Sequence, residues 1–165
     1  MSSLYYRPED YLGVMRRLLI DFVDTGVALT ISLILSFVTW LIAPVVIPFV
    51  WIAVWISYFV LLKGSRFRTL GYVLAGAKIV DFSGQRPRYR KLFGRLAFVV
   101  LGPANFLIDL CWISSDPSHQ ALRDKFAHTY VVRANAVPAG TGRIVYPTYM
   151  AFGWTLMFAE VRAAA

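Results

Sequence analysis

An uncharged run of 38 residues, from position 25 to position 62, constrains this chain more than any other feature. One helix needs about 20 apolar residues to cross the hydrocarbon core of a bilayer, so the run is long enough for two crossings. Two prolines, Pro44 and Pro48, place the break at residues 43–48, because each proline removes a backbone donor and clashes with the preceding turn. We therefore predict membrane helices over about 16–42 and 47–62, joined by a short uncharged loop.

The composition supports an integral membrane protein built from helices. Hydrophobic residues make up 58% of the chain, mean hydropathy is +0.60, and only 16% of residues are charged, where soluble domains carry about 25%. The net charge of +8 does not indicate a nucleic-acid partner, because the basic residues lie beside the apolar spans, as positive-inside topology predicts. The lone cysteine, Cys111, excludes a disulfide framework within the chain.

Charge also predicts the orientation of the helices. The first apolar run is too long for a signal peptide and has no small-residue cleavage motif, so we expect an uncleaved first helix. Basic residues dominate directly after the second helix, from Lys63 to Arg95, against Asp81 alone. This segment and the N-terminus are therefore expected on the cytoplasmic side, in a membrane that we take to be the bacterial inner membrane.

A third apolar stretch, residues 96–108, is too short to cross a bilayer and contains Gly102-Pro103. Extended to residue 113 it makes a single crossing with Asp109 inside the membrane. The alternative is a broken, re-entrant stretch that returns to the cytoplasm. We favour the return, because β-branched segments at 77–80 and 129–132 form a cytoplasmic strand pair only if both lie on one side.

The two ends of the chain are assigned separately. Residues 1–14 mix aromatic and charged side chains, typical of either a short interfacial helix or a partly ordered tail. Residues 134–165 form an extension to a membrane domain of residues 1–133, beginning with a Gly- and Pro-containing linker. Its uncharged aromatic part, 144–159, is expected to be an interfacial helix or a surface that docks on a partner, rather than a fourth span. The residues predicted to dock are Tyr146, Tyr149, Trp154 and Phe158.

Four short motifs occur in order along the first 133 residues. Arg17 precedes Asp24 by seven positions, Thr69-Leu-Gly71 follows the second helix, and Ile79-Val-Asp-Phe-Ser-Gly84 covers the first strand and its turn. Arg123-Asp-Lys-Phe-Ala-His-Thr-Tyr-Val-Val132 precedes and includes the second strand. This series resembles the RDD family of small integral membrane proteins, with Arg17, Asp24 and Asp124 as its arginine and two aspartates.

Two positions depart from the family pattern. Arg123 stands where the family usually has His or Gly, and His128 replaces a small glycine before the last strand, where it is expected to crowd the turn. The resemblance implies a fold more than a function, since transport has been suggested for the family from its architecture and some members are implicated in cation/proton exchange.

Charged residues near the apolar spans form the first candidate site: Arg17, Asp21, Asp24, Asp109 and Asp124. Such groups are costly within a membrane and usually face protein, water or each other. One interpretation is an ion or proton pathway in which Arg17 sets the pKa of a neighbouring carboxyl. We favour the other, a structural clasp of Arg17 with Asp24 and Asp124, because these charges lie near the interface.

A second candidate site is a basic segment expected to contact anionic lipid headgroups. Its members are Arg86, Arg88, Arg90, Lys91 and Arg95. Neither a metal site nor a cofactor is expected, because the two histidines, His119 and His128, lack a ligand cluster around them. Catalytic motifs are also missing from the sequence.

The sequence therefore predicts a non-catalytic accessory or assembly subunit that packs against a larger membrane complex and the lipid around it. The alternative is a cation or proton-coupled transporter that works as an oligomer. Few polar side chains are available to line a path through the predicted helices: Thr30, Ser32, Ser36, Thr39 and Ser57.

Overall fold

The computed structural model describes residues 3–102, 105–116, 119–151 and 154–163. It contains two long apolar helices and a region of shorter helices and strands at one end of them, which we call the base. The elements in chain order are β1 (Ser3–Tyr5), α1 (Val14–Ile42), α2 (Ile47–Ile56), α3 (Leu70–Leu74), β2 (Ala77–Asp81), α4 (Tyr89–Leu101), α5 (Asn105–Ser115), α6 (Leu122–Ala127), β3 (Thr129–Arg133), β4 (Gly140–Val145), β5 (Thr148–Ala151), β6 (Trp154–Met157) and β7 (Glu160–Ala163).

The predicted pair of long helices and the break between them are confirmed. A 3-10 turn, Pro44–Val46, separates α1 from α2, and α2 continues as a π-helical segment, Ser57–Leu62. Pro48 lies in the first turn of α2, where a missing N–H does not interrupt the helical hydrogen bonds. Both segments, Val14–Ile42 and Pro44–Leu62, are long and apolar enough to cross a membrane.

The predicted strand pair is also confirmed. Strands β2 and β3 are antiparallel, with Ala77 opposite Arg133 and Asp81 opposite Thr129. The β-branched residues of both strands place Ile79 and Val131 in one hydrophobic cluster and Val80 and Val132 in another. The strand pair thereby joins the foot of the long helices to the rest of the base.

The third apolar stretch bends back on itself. Helix α4 ends before Gly102, α5 starts at Asn105, and the Asn105 side chain donates to the Phe98 carbonyl at 2.7 Å. Arg95 on α4 contacts Asp124, while Asp109 on α5 contacts the adjacent Arg123. Because α4 and α5 contact two adjacent residues of α6, the chain returns to the side from which α4 starts. The re-entrant interpretation predicts this return.

The expectation of an all-α fold is wrong. Residues 140–163 contain four strands in place of the predicted interfacial helix, and residues 3–10 contain β1 and a 3-10 turn, Pro8–Asp10, in place of a helix. Thr, Tyr, Val and Ile in these segments favour extended backbone. In β4 the first four side chains alternate between less and more exposed positions. The uncharged aromatic composition of residues 144–159 is also typical of an interfacial helix, so composition alone did not predict these strands.

The C-terminal strands are part of the same body as the segment before them. Strand β4 pairs with both β1 and β7, while β5 and β6 form a hairpin. Because β1 comes from the N-terminal end of the chain, this pairing joins β4 and β7 to the start of the predicted domain of residues 1–133. A buried hydrophobic cluster that includes Tyr6, Phe82, Tyr130 and Ala159 packs these strands against β2 and β3.

Candidate functional site

Asp124 is the centre of a buried ionic cluster at the foot of α1. It lies in the first turn of α6 and is fully buried. Arg17 Nη1 lies 2.5 Å from its Oδ2, and Arg95 Nη1 contacts its Oδ1. Arg17 also donates from Nε to the Leu12 carbonyl at 3.0 Å, and Arg95 donates to the Thr129 hydroxyl at 2.8 Å. The cluster thus ties α1, α4, α6 and β3 together.

Arg123, the neighbour of Asp124, bridges two further carboxylates. Its Nη2 lies 2.5 Å from Asp21 Oδ2 on α1. Its Nε lies 3.1 Å from Asp109 Oδ2 on α5, an ion pair without hydrogen-bond alignment, and its backbone N–H donates to Asp109 Oδ1 at 3.1 Å. Burial lowers the pKa of Arg123, but Asp21 and Asp109 outweigh burial and raise the pKa above its ordinary value.

Asp24 does not join this clasp, so the predicted contact of Asp24 with Arg17 is wrong. Its carboxylate accepts from the Thr69 hydroxyl at 2.6 Å, the Gly71 N–H at 2.7 Å and the Tyr58 hydroxyl at 3.1 Å. Lys63 Nζ lies 3.9 Å away. These three donors to one fully buried carboxylate fasten the start of α3 to α1.

The close approach of α3 to α1 requires a glycine at position 71. A Cβ atom at that position would lie 2.6 Å from the Ile20 carbonyl oxygen and 2.7 Å from Asp24 Oδ1. Only a residue without a side chain brings the backbone of α3 this close to α1. The Thr69-Leu-Gly71 motif therefore works as a unit, with one hydroxyl donor and one unobstructed N–H for the same carboxylate.

The paired charges balance. Four cationic side chains and four carboxylates form the contacts described above, so the network is formally neutral. Its members are Arg17, Lys63, Arg95, Arg123, Asp21, Asp24, Asp109 and Asp124. Burial and the nearby Arg95 lower the pKa of Lys63 to about 8. A cavity of about 80 Å³ opens beside the network, between Trp55, Phe59 and Leu96.

A second buried cation holds the C-terminal strands. Lys125 is fully buried, and its Nζ lies 2.6 Å from Asp116 Oδ1 and 2.7 Å from Glu160 Oε1 on β7. Nζ also lies 5.2 Å from the centre of the Tyr149 ring, within the range of a cation–π contact. Lys125 therefore anchors β7 and the β5–β6 hairpin to α6.

The model of the RDD family matches residues 11–128, which include Arg17, Asp24 and Asp124. The chain belongs to the RDD family. Comparisons with curated proteins and with solved structures give no significant match. Within the RDD match lie all eight members of the neutral network, whereas β1 and the strands from β3 onward lie outside it.

The basic segment predicted to meet lipid divides into three groups. Arg86, Arg88 and Arg90 are exposed, as that role requires. Lys91 is partly buried and lies 3.6 Å from Asp81. Arg95 is only 5% exposed and bonded to Asp124, so its assignment to lipid is wrong. On α4, Arg95 falls on the face that packs against α6.

The predicted docking residues also divide. Phe158 is buried against Trp112 and Phe126, and the Tyr149 hydroxyl donates to Glu160, so both stabilise the fold and their assignment to a partner is wrong. The side chain of Trp154 lies outside the described part of the structure. Tyr146 is 65% exposed and remains available.

Sequence reasoning missed several members of the site. Tyr58 was not singled out, and Lys63 was used only to orient the chain. Thr69, Arg123 and Lys125 appeared within motifs, but their buried partners were not predicted. The Arg123-Asp-Lys125 triplet was an available signal. Its three consecutive charges lie in the short helix α6, where they cannot all face water, so partners within the protein are expected. His128 adopts a left-handed backbone with φ of 52° at the end of α6, where glycine is free of steric cost.

Proposed function

We propose that this RDD protein is a small non-catalytic membrane protein that acts as an accessory or assembly subunit, packed against a larger membrane complex. The observation that carries the proposal is an apolar surface on the β5–β6 hairpin, outside the two long helices. Met150 is 85% exposed and Met157 67% exposed, next to the exposed Tyr146.

This surface, which we call the Met patch (Tyr146, Met150 and Met157), has a defined orientation. Thr148 pairs with Met157, and Met150 pairs with Thr155, so both methionines lie on one face of the hairpin. The opposite face carries Tyr149, which packs against Trp112 and Phe158. Flexible, polarisable methionines on a fixed hairpin suit contact with another protein.

The ionic network supports a structural role over transport. Its charges are paired within the chain, and each of its side chains is at most 14% exposed. Two hydroxyls of the first long helix are bonded locally, since Thr30 donates to the Gly26 carbonyl and Thr39 to the Leu35 carbonyl. The buried Ser32 hydroxyl has no hydrogen-bond partner among the described residues. Ser36 accepts from Trp51 across the two helices. A transporting oligomer would have to open these contacts to make a polar path.

The orientation belongs to the same proposal. Arg17 and the basic loop after Leu62 lie at one end of the long helices, and the uncharged turn Pro44–Val46 lies at the other. We propose from this positive-inside asymmetry that both ends of the described chain face the cytoplasm of a bacterium, with Arg86, Arg88 and Arg90 next to anionic headgroups of the inner membrane.

The test is purification from native membranes in mild detergent followed by native mass spectrometry. We expect a larger membrane protein bound at fixed stoichiometry, lost in Met150→Ser/Met157→Ser and kept in the matched surface variant Val137→Ser, since Val137 is 73% exposed in a loop. A lone monomer, or an assembly unaffected by the double substitution, contradicts the proposal. Cation or proton flux by the isolated protein in proteoliposomes would establish the transporter instead.

A further inference from the structure

A basic cavity borders the neutral network at Lys63 and lies apart from the Met patch. Its volume is about 460 Å³, and its walls are the loop after Leu62, strand β2 and the turn at residues 84–87. This volume falls within the range of about 300–1,000 Å³ that is usual for small-ligand pockets. Five basic side chains line it: Lys63, Arg66, Arg68, Lys78 and Arg86. Among the described residues that line it, none is acidic.

The cavity's positive charge is not neutralised within the described part of the chain. Arg66, Arg68, Lys78 and Arg86 form no ion pair there, and Lys63 has only Asp24 at 3.9 Å. In the neutral network, by contrast, every charged group has a counter-charge. A concave surface lined by cations of one sign focuses a positive potential that an anion can neutralise.

Two of the cations are held in place by backbone carbonyls that leave their charge intact. Arg68 Nη1 donates to the Ala77 carbonyl at 2.9 Å, and Lys78 Nζ donates to the Ala136 carbonyl at 2.8 Å. Arg68 itself has a left-handed backbone with φ of 60°, a conformation that costs a non-glycine residue about 1 kcal/mol or more. The surrounding structure therefore positions these side chains before any ligand arrives.

The opposite wall is equally fixed. Asp81 closes the turn after β2, since its Oδ1 accepts from the Ser83 N–H at 2.9 Å and the Gln85 N–H at 3.2 Å. Gly84, with φ of 76°, supplies the left-handed turn residue. This turn positions Gln85 and Arg86 in the cavity lining. The RDD-like motif Ile79–Gly84 therefore forms part of the cavity wall.

We propose that this cavity binds the phosphate group of an anionic ligand. Guanidinium groups match the geometry of phosphate oxygens in paired hydrogen bonds, and lysine adds a point charge. A lipid headgroup is the source that the surroundings favour. The cavity starts directly after the second apolar segment, and Phe67, Leu70 and Leu74 beside it are 48–66% exposed, an apolar and basic combination typical of an interfacial surface.

The test uses the full-length protein in a neutral mild detergent and three soluble probes: short-chain phosphatidylglycerol, short-chain phosphatidylcholine and glycerol phosphate. The variant is Arg66→Gln/Arg86→Gln, whose side chains are both exposed at the cavity. The control is Arg7→Gln/Arg143→Gln, which removes two exposed positive charges outside the cavity lining. Thermal unfolding of each variant confirms that the fold is retained.

We expect saturable binding of phosphatidylglycerol or glycerol phosphate that weakens about thirtyfold in Arg66→Gln/Arg86→Gln, from about fivefold for each basic side chain. The control pair should weaken binding far less. Tighter binding of phosphatidylglycerol than of glycerol phosphate identifies the lipid as the source, and the reverse order identifies a soluble phosphate compound. Equal losses in both variants would reduce the effect to diffuse surface charge and overturn the cavity site, as would binding of neither phosphate probe.

Discussion

Arg17 Nη1 and Asp124 Oδ2 lie 2.5 Å apart although 107 positions separate the two residues in the sequence. Both side chains are at most 2% exposed. The pair joins the start of the first long helix to the short helix that follows the α4–α5 return. Since Arg95 shares the same carboxylate, the contact also fixes the rotation of α4. The RDD arginine and second aspartate therefore define how the chain closes on itself.

The approach of α3 to α1 depends on the missing side chain of Gly71. Gly71→Ala places a Cβ against the Ile20 carbonyl and the Asp24 carboxylate, and we expect a loss of about 1–3 kcal/mol in unfolding free energy, the usual range for overpacking. Gly94→Ala is the control, because a Cβ there meets no atom within 4 Å. Thermal unfolding in detergent compares the two, and equal midpoints would show that α3 is free to move away.

The C-terminal strands depend on Lys125. Lys125→Met keeps the length of the side chain but leaves Asp116 and Glu160 without this shared cation. Hydrogen exchange should then speed up at 140–145 and 160–163, while β2 and β3 stay protected. Arg143→Met is the control, since Arg143 is exposed on β4. Unchanged exchange in Lys125→Met would mean that strand pairing alone holds the extension.

Membrane topology follows from the placement of charge. In a Cys111→Ser background, single cysteines at Glu9, Arg66 and Arg88 should be labelled by an impermeant reagent only in inside-out vesicles. A cysteine at Val45, in the turn between the long helices and 80% exposed, should be labelled only from the other side. Labelling of Arg66 and Arg88 positions from opposite sides would contradict the orientation that we propose.

Much of the fold follows from local sequence patterns. The uncharged run and its two prolines are enough to predict α1 and α2, and β-branched residues are enough to predict β2 and β3. The Arg17–Asp124 contact followed from placing both strands on one side of the membrane and from the family-like motifs. Each of these features depends on periodicity, on residue type or on a short motif.

The partners of Asp24 and the C-terminal strands were harder to predict. Tyr58, Thr69 and Gly71 reach Asp24 from 34 to 47 positions away, and a single hydroxyl has no periodic signature. Residues 144–159 are uncharged and aromatic, a composition shared by interfacial helices and half-buried strands. Their pairing depends on β1, at the far end of the chain, which composition alone does not reveal.

The most direct test of the ionic clasp is a double-mutant cycle between Arg17→Gln and Asp124→Asn, measured as unfolding free energy in mixed micelles. Asp124→Asn leaves the buried Arg17 and Arg95 without their shared carboxylate and should cost about 3–5 kcal/mol. Arg17→Gln leaves Asp124 paired with Arg95 alone and should cost less. The double variant should cost less than the sum of the two, with a coupling energy of about 1–3 kcal/mol. Arg17→Gln combined with the exposed Glu9→Gln is the control and should be additive. Additive losses for Arg17 and Asp124 would contradict a clasp between them.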